Sequence, residues 1–150
     1  MSDWTDLPLA FVDLETTGAK AEDDRITEVG IVTLRGEEVH AWEQLVQPDT
    51  PISPFIEQLT GISNAMVAKA PRFADIAHEV KQRLDGHLFV AHNARFDFGF
   101  LRQEFARLGI EFRATVVCTV KLSRKLYPQH HKHSLDSLIA RHGLQMESRH

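Results

Sequence analysis

Two acidic residues, Asp13 and Glu15, stand two positions apart at the end of an apolar run near the N-terminus. In a β-strand, residues i and i+2 point to the same face, so the two carboxylates converge while Leu14 points into the packing. Two carboxylates on a largely buried strand repel each other and require a compensating charge. A salt bridge at the strand end would supply that charge, and so would Mg²⁺, which binds one or two carboxylates together with waters and phosphates.

The three residues that follow, Thr16, Thr17 and Gly18, provide hydroxyl groups, backbone donors and a turn. Ligands of α/β proteins bind at this position, just beyond the carboxyl ends of the strands. We therefore expect a ligand beside the acidic pair.

A third acid, Asp97, lies near the start of a helix predicted over 94–108 and ended by Gly109. This helix carries an apolar stripe at spacing i, i+4, i+7, formed by Leu101, Phe105 and Leu108. Asp97 is four residues before Leu101 and so belongs to the same inward stripe. The helix dipole would favour an acid there, but its position at the same end of the sheet as the acidic pair favours one metal site with three carboxylates.

The elements that must position these acids follow from hydrophobic period and turn residues. We predict strands at 9–14, 26–34, 39–46, 87–91 and 116–118, and helices at 52–59, 72–84 and 94–108, one ending near 127–128, and one at 134–142. Short links make the first three strands an antiparallel meander, and strands joined through helices pair in parallel. The predicted fold is α/β, with a five-stranded mixed sheet flanked by helices.

Length and composition limit the possible functions. A chain of 150 residues is expected to form a single domain, 1–150, with one core. Its one cysteine allows no disulfide within the chain, and no apolar run is long enough to span a membrane, so we expect a cytoplasmic protein with no membrane partner. The net charge of −4 argues against a broad duplex-binding face but permits an enzyme that grips a few nucleotides through metal ions.

The segments 11–18 and 92–97 resemble the first two motifs of the DnaQ-like, DEDDh-type 3′–5′ exonucleases. The third motif of that family is a histidine followed five residues later by an aspartate, and His150 falls at the expected place for the histidine. Landmarks at 59–62 and 70–71 match as well. The resemblance covers essentially the whole chain and implies a ribonuclease H-like fold and, among relatives, similarity to bacterial replicative proofreading subunits.

The resemblance implies metal-dependent hydrolysis of phosphodiester bonds at a single-stranded 3′ end, with release of 5′-mononucleotides. Two Mg²⁺ or Mn²⁺ ions would be held by three acids: Asp13 at both ions, Glu15 at the first and Asp97 at the second. His150 would act as the general base, since the ordinary pKa of histidine lies near neutrality.

Further residues are expected to hold the terminal nucleotide. Base stacking on apolar side chains is worth roughly 1–3 kcal/mol and tolerates any base. The expected nucleotide contacts are Leu14, Thr16, Thr17, Gly18, Leu59, His92, Asn93 and Phe96.

Several alternatives remain open at this point. The fourth carboxylate of the family would lie beyond His150, so we expect the domain to be cut at its C-terminal edge; Glu28 or Asp136 could supply an acid instead. A catalytically silent nucleic-acid-binding or assembly module, or an exoribonuclease of the same superfamily, would share these motifs. The resemblance suggests polymerase subunits or an appended domain as partners. The histidine-rich run 130–133 is expected to be a solvated basic loop.

Overall fold

The computed structural model describes residues 7–118, which form a five-stranded mixed sheet and four helices. The elements in chain order are β1 (Leu9–Thr16), β2 (Ile26–Arg35), β3 (Glu38–Leu45), α1 (Pro54–Thr60), α2 (Asn64–Val67), α3 (Phe73–Leu84), β4 (Leu88–Ala91), α4 (Ala94–Arg107) and β5 (Val116–Cys118).

Strand β1 lies at the centre of the sheet, whose order is β3-β2-β1-β4-β5. The pairs β1–β2 and β2–β3 are antiparallel, and the pairs β1–β4 and β4–β5 are parallel. The predicted α/β fold, with three antiparallel strands and then two parallel ones, is confirmed. Because β4 pairs with β1 only from Leu9 to Phe11, the second half of that edge of β1 is open to helix α4.

Helices α3 and α4 cover one face of the sheet and form the main core with it. Phe73 and Phe105, one from each helix, meet edge-to-face with ring centroids 5.1 Å apart, and Leu101 is fully buried beside them. Burial of such a side chain contributes about 1.5–3 kcal/mol. The opposite face carries a smaller cluster of Leu9, Phe11, Val32 and Val90. The main core therefore fixes α4, and with it Asp97, against the central strand.

Several boundaries differ from the prediction. Strand β1 continues two residues further than expected, to Thr16. Helix α1 begins at Pro54, because the Ser53 side chain caps it by accepting from the Ile56 N–H at 3.2 Å. The four-residue helix α2, capped by Ser63, was not predicted.

The apolar stripe on α4 is also shorter than predicted. Leu101 and Phe105 are buried, but Leu108 is 39% exposed. Helix α4 ends at Arg107, and Gly109 turns the chain away with a φ of 73°, as a glycine after a helix end commonly does. The two helices predicted after 118 lie outside the described residues. None of the helices within 7–118 combines the length and apolarity needed to cross a lipid bilayer.

Candidate active site

The end of strand β1 presents Asp13 and Glu15 on one face, as predicted. The strand is buried from Leu9 to Val12, after which half-buried and buried residues alternate. Asp13 and Glu15 are the half-buried members, whereas Leu14 belongs to the main core on the other face. The sequence alternation therefore brings both carboxylates to the partly open end of the central strand.

Helix α4 brings the third acid, Asp97, to the same place. Asp97 is 6% exposed, and it lies close enough to Asp13 and Glu15 for their charges to act on its carboxylate. The predicted convergence of Asp13, Glu15 and Asp97 is thus present in the structure, and these residues are called the carboxylate site below.

The electrostatics of Asp97 reflect this crowding. Burial raises the pKa of Asp97 to about 8, and the neighbouring charges of Asp13 and Glu15 raise it too, against the lowering effect of backbone hydrogen bonding. A divalent cation here would favour the ionised carboxylate and relieve the repulsion. The donor set, three carboxylates at one strand end, has the chemistry that Mg²⁺ or Mn²⁺ prefers.

The geometry is that of an open site. Among residues 7–118, no three His, Cys, Asp or Glu side chains are arranged as a ready-made metal-ligand set. A closed set is not required, since Mg²⁺ in phosphoryl-transfer sites is held by one or two carboxylates and completes its coordination with waters and substrate phosphates. The three converging acids therefore suit a metal ion whose coordination is completed by water and phosphate.

Glu28 lies on strand β2, next to the carboxylate site on β1. It is the residue of β2 directly opposite Glu15 in the antiparallel ladder, so both side chains leave the same face, with Cβ atoms about 4.5–5.5 Å apart in such pairs. The structure therefore brings a fourth acid to the carboxylate site.

An apolar pocket of about 330 Å³ opens beside Glu15. It is called the terminal pocket below. Five of the eight expected nucleotide contacts line it, namely Leu14, Thr16, Gly18, Leu59 and Phe96. The structure thus gathers residues from β1, α1 and α4 around one cavity next to the acids.

The remaining expected nucleotide contacts lie elsewhere. The Thr17 hydroxyl donates to Asp24 Oδ1 at 3.1 Å and accepts from the Arg25 N–H at 3.0 Å, so it serves the loop that connects β1 to β2. His92 is exposed and, like Thr17, is not among the residues that line the terminal pocket. Asn93 lines two neighbouring depressions instead.

Sequence reasoning missed Phe55, which also lines the terminal pocket. Phe55 and Leu59 are 72% and 70% exposed, although both are large apolar residues. They are one turn apart on α1, whose only buried residue is Thr60. Phe55 is four residues before the expected contact Leu59, and this i, i+4 spacing is the sequence signal that could have identified it.

Gly18 is explained by the loop rather than by a ligand. A Cβ at this position would lie 2.4–2.7 Å from the carboxylate atoms of Asp24, and the Thr16 hydroxyl donates to the Gly18 carbonyl at 2.6 Å. A side chain would displace Asp24, which also accepts from the Lys20 N–H at 3.0 Å. Gly18 thus lets loop 17–25 fold tightly beside the terminal pocket.

A second buried acid on α4, Glu104, was also missed. Its carboxylate, 1% exposed, accepts from Arg25 Nε at 3.1 Å and Nη2 at 2.9 Å, and from the Ile26 N–H at 3.2 Å. Arg107 adds a contact at 3.3 Å and donates to the carbonyl of Ala21 at 3.0 Å. These contacts tie loop 17–25 to the helix that carries Asp97. The charge of Glu104 amid apolar helix residues had no visible partner in the sequence.

His150, expected as the general base, lies outside the described residues, as do Asp136 and the histidine run at 130–133. The carboxylate site and the terminal pocket are therefore defined by β1, β2, α1 and α4.

Comparison with known proteins places this geometry in a family. The chain is 34% identical over 143 residues to the 3′–5′ exonuclease DinG of Staphylococcus saprophyticus, which covers 94% of this chain and 16% of that relative. It is 39% identical over 127 residues to a PolC-type DNA polymerase III of Caldanaerobacter subterraneus, over 84% of this chain and 9% of that relative. This chain thus spans only a small part of either relative.

Solved structures give the same result. Exonuclease X in complex with 5′ overhanging duplex DNA superposes with a TM-score of 0.67 at 31% identity, covering 94% of this chain and 76% of that one. Apo exonuclease I has a TM-score of 0.75 at 16% identity, over 94% and 38% of the respective chains, and shows the shared ribonuclease H-like fold. A profile of the exonuclease (RNase T) family matches residues 10–150, and the chain belongs to that family.

Proposed function

We propose that this chain is the catalytic domain of a 3′–5′ exonuclease that acts on single-stranded DNA ends. The observation that carries the proposal is the convergence of Asp13, Glu15 and Asp97, of which Glu15 also lines an apolar pocket. The relatives named 3′–5′ exonuclease and DNA polymerase, and the relative bound to DNA, support the direction of attack and the choice of DNA.

Enzymes of this family generally depend on divalent metal ions. Asp13, Glu15 and Asp97 are the residues that would hold two Mg²⁺ or Mn²⁺ ions at the carboxylate site. Such ions supply the positive charge that orients a water for in-line attack and stabilises the leaving 3′ oxygen. Glu28, which lies opposite Glu15 on β2, adds a further acid beside this set.

The remaining steps of the hydrolysis are proton transfer and cleavage of the phosphodiester bond. His150 accepts the proton of the attacking water as general base. Attack forms a bond from the water oxygen to phosphorus and breaks the bond from phosphorus to the 3′ oxygen, which leaves as a 3′-hydroxyl on the shortened strand. The released product is a 5′-mononucleotide.

The terminal pocket receives the last nucleoside. Its lining is apolar, with Phe55 and Leu59 exposed on α1 and Phe96 on α4. Apolar stacking accepts every base, as an exonuclease requires. Leu14 and Thr16 line the same pocket on either side of Glu15, which places the terminal nucleoside next to the acids.

The larger relatives suggest the setting. Because the chain corresponds to 16% of a DinG protein and 9% of a PolC-type polymerase, we propose that the exonuclease works beside polymerase subunits or an appended domain. Its site is compatible with proofreading or repair of a frayed 3′ end.

The test is hydrolysis of a single-stranded oligonucleotide labelled at its 5′ end, with excess Mn²⁺. The proposal expects a ladder that shortens from the 3′ end and 5′-mononucleotides as the only small products. Asp13→Asn should abolish the ladder, and Asp75→Asn, an exposed acid on α3, is the matched control that should preserve it. Products with 3′-phosphates, or equal rates for Asp13→Asn and Asp75→Asn, would overturn the proposal. Binding of the oligonucleotide without cleavage would favour the silent-module alternative.

A further inference from the structure

A run of depressions leads away from the terminal pocket along one side of α4. Phe96, at the terminal pocket, also lines a depression of about 380 Å³ together with Lys20 and Arg95. Arg95 and Gly99 are shared with the next depression, of about 770 Å³, which Arg102 also lines. These two depressions, connected through shared residues, are called the α4 groove.

The distribution of positive charge singles out this groove. Within 7–118, most lysine and arginine side chains form ion pairs: Arg25, Arg72, Lys81, Arg83, Arg107 and Arg113. The other cations of this part of the chain, whose side chains have no ion pair with its residues, are Lys20, Arg35, Lys69, Arg95 and Arg102. Three of these, Lys20, Arg95 and Arg102, are exposed along the α4 groove. Three of the five cations that form no ion pair within residues 7–118 therefore lie in one groove, although the protein has a net charge of −4.

A glycine in the floor of the groove is a second, independent observation. Gly99 lies within α4, between Arg95 and Arg102, where glycine is less favourable than alanine. A Cβ there would meet nothing within 4 Å, so the packing of the described residues does not require a glycine. A bare helix surface does allow a ligand to approach the backbone closely.

We propose that the α4 groove holds the phosphate backbone of the strand whose 3′ end occupies the terminal pocket, with Lys20, Arg95 and Arg102 neutralising its phosphates. This inference rests on the function proposed above. Arg95 and Arg102 are seven residues apart, about 10 Å along the helix, or roughly three nucleotides of a stacked strand at about 3.4 Å each.

The groove is less suited to a protein partner. Protein interfaces depend on aromatic or aliphatic anchors. Of the large apolar side chains that line the groove, Phe100 is buried, Phe96 packs on Phe100, and Phe98 packs on Phe89 and Phe112. Val116 is the exposed one. One acid, Glu22, lines the first depression. The cations outnumber it, and an anionic polymer is the ligand that the charge pattern fits best.

The test compares cations inside the groove with unpaired cations outside it. Lys20→Ala, Arg95→Ala and Arg102→Ala are paired with Arg35→Ala and Lys69→Ala, which remove the same charge elsewhere. Binding of a fluorescent oligonucleotide of about 12 nucleotides is measured in EDTA, where no cleavage occurs, at several salt concentrations. Each groove variant should weaken binding about 3- to 10-fold and reduce the slope of log K against log salt by about 0.7, and both outside variants should change neither.

Cleavage kinetics provide the second readout. With Mn²⁺, the groove variants should raise KM for the long oligonucleotide, leave kcat within about twofold, and leave cleavage of a dinucleotide unchanged, because only the long strand reaches the groove. Arg95→Lys should recover most of the affinity that Arg95→Ala loses. Gly99→Leu should weaken binding of the long strand, and Gly99→Ala should weaken it less. Equal losses for inside and outside variants, or equal losses on the dinucleotide, would overturn the proposal.

The two proposals fail separately. If the unmodified protein does not cleave but the groove variants still lose affinity in EDTA, the exonuclease assignment fails and the groove stands. If it cleaves and all five variants bind alike, the groove fails and the exonuclease assignment stands.

Discussion

Helix α4 carries two buried acids, seven residues apart on the same face, in opposite electrostatic surroundings. The Glu104 carboxylate accepts hydrogen bonds from Nε and Nη2 of Arg25 and from the Ile26 N–H, and it forms an ion pair with Arg107. Asp97 lies beside the like charges of Asp13 and Glu15, which raise its pKa, as burial also does.

The comparison separates a structural acid from a functional one. A buried carboxylate with complete ion pairs needs nothing further from outside the chain. A buried carboxylate crowded by two others is stable only when protonated or when a cation joins it, and strongly perturbed acids of this kind are typical of functional sites. Glu104 thus holds loop 17–25 on the helix, whereas the surroundings of Asp97 are those expected of a cation ligand.

The largest effect should appear in activity. Asp97→Asn keeps the size of the side chain but removes the charge that a cation requires. We expect kcat to fall by about 10³-fold or more, equivalent to about 4 kcal/mol of transition-state stabilisation. Glu104→Gln should stay within about tenfold of the parent rate. Comparable losses for both variants in a labelled-oligonucleotide assay would remove the distinction between the two acids.

The next effect should appear in the free energy of unfolding of the Glu104→Gln variant. Glu104→Gln leaves Arg25 without its charged partner, and breaking such a buried pair costs about 3 kcal/mol or somewhat less here, since Arg25 is partly exposed. Urea denaturation should show this as a lower midpoint at unchanged slope. The double variant with Arg25→Gln should recover part of the loss. A change in the free energy of unfolding below about 0.5 kcal/mol would mean that the Arg25–Glu104 pair does not stabilise the fold.

A smaller effect should appear in the pH dependence of the metal-free protein. The folded pKa of Asp97 is raised from 3.8 to about 8, so between these values the folded state binds a proton that the unfolded chain lacks. Stability must therefore fall as pH rises through this window. Between pH 6 and 8 in EDTA, we expect the parent to lose up to about 2 kcal/mol relative to Asp97→Asn, and saturating Mn²⁺ to remove the difference. Parallel pH profiles of parent and variant would contradict the crowding of Asp97.

Much of this arrangement could be predicted from the sequence because it follows periodicity. The alternation of Asp13, Leu14 and Glu15 fixed the face of the pair, and the spacing from Leu101 placed Asp97 on the inward side of α4. Glu104 could not be predicted, since its partner Arg25 is 79 positions away in the chain. Phe55 was missed because periodicity identifies residues that should be buried, and this large apolar residue is exposed.

The smallest effect should come from residues that serve neither acid. Phe55 and Leu59 are exposed, so alanine there should leave the unfolding midpoint nearly unchanged. Loss of apolar stacking should raise KM by about 5- to 10-fold, or about 1 kcal/mol each. Leu108→Ala removes a leucine that is 39% exposed just beyond the end of α4, away from the terminal pocket, and should leave KM unchanged. Equal KM values for Leu59→Ala and Leu108→Ala would show that the terminal pocket does not hold the nucleoside.

We propose that Asp97, unlike Glu104, belongs to a cation-binding catalytic site. The experiment is calorimetric titration of Mn²⁺ in the presence of a 5′-mononucleotide, whose phosphate completes the coordination. We expect the same stoichiometry and affinity for the parent and Glu104→Gln, and for Asp97→Asn the loss of at least one Mn²⁺ or an affinity at least about tenfold weaker. Unchanged Mn²⁺ binding by Asp97→Asn would show that Asp97 does not hold the cation.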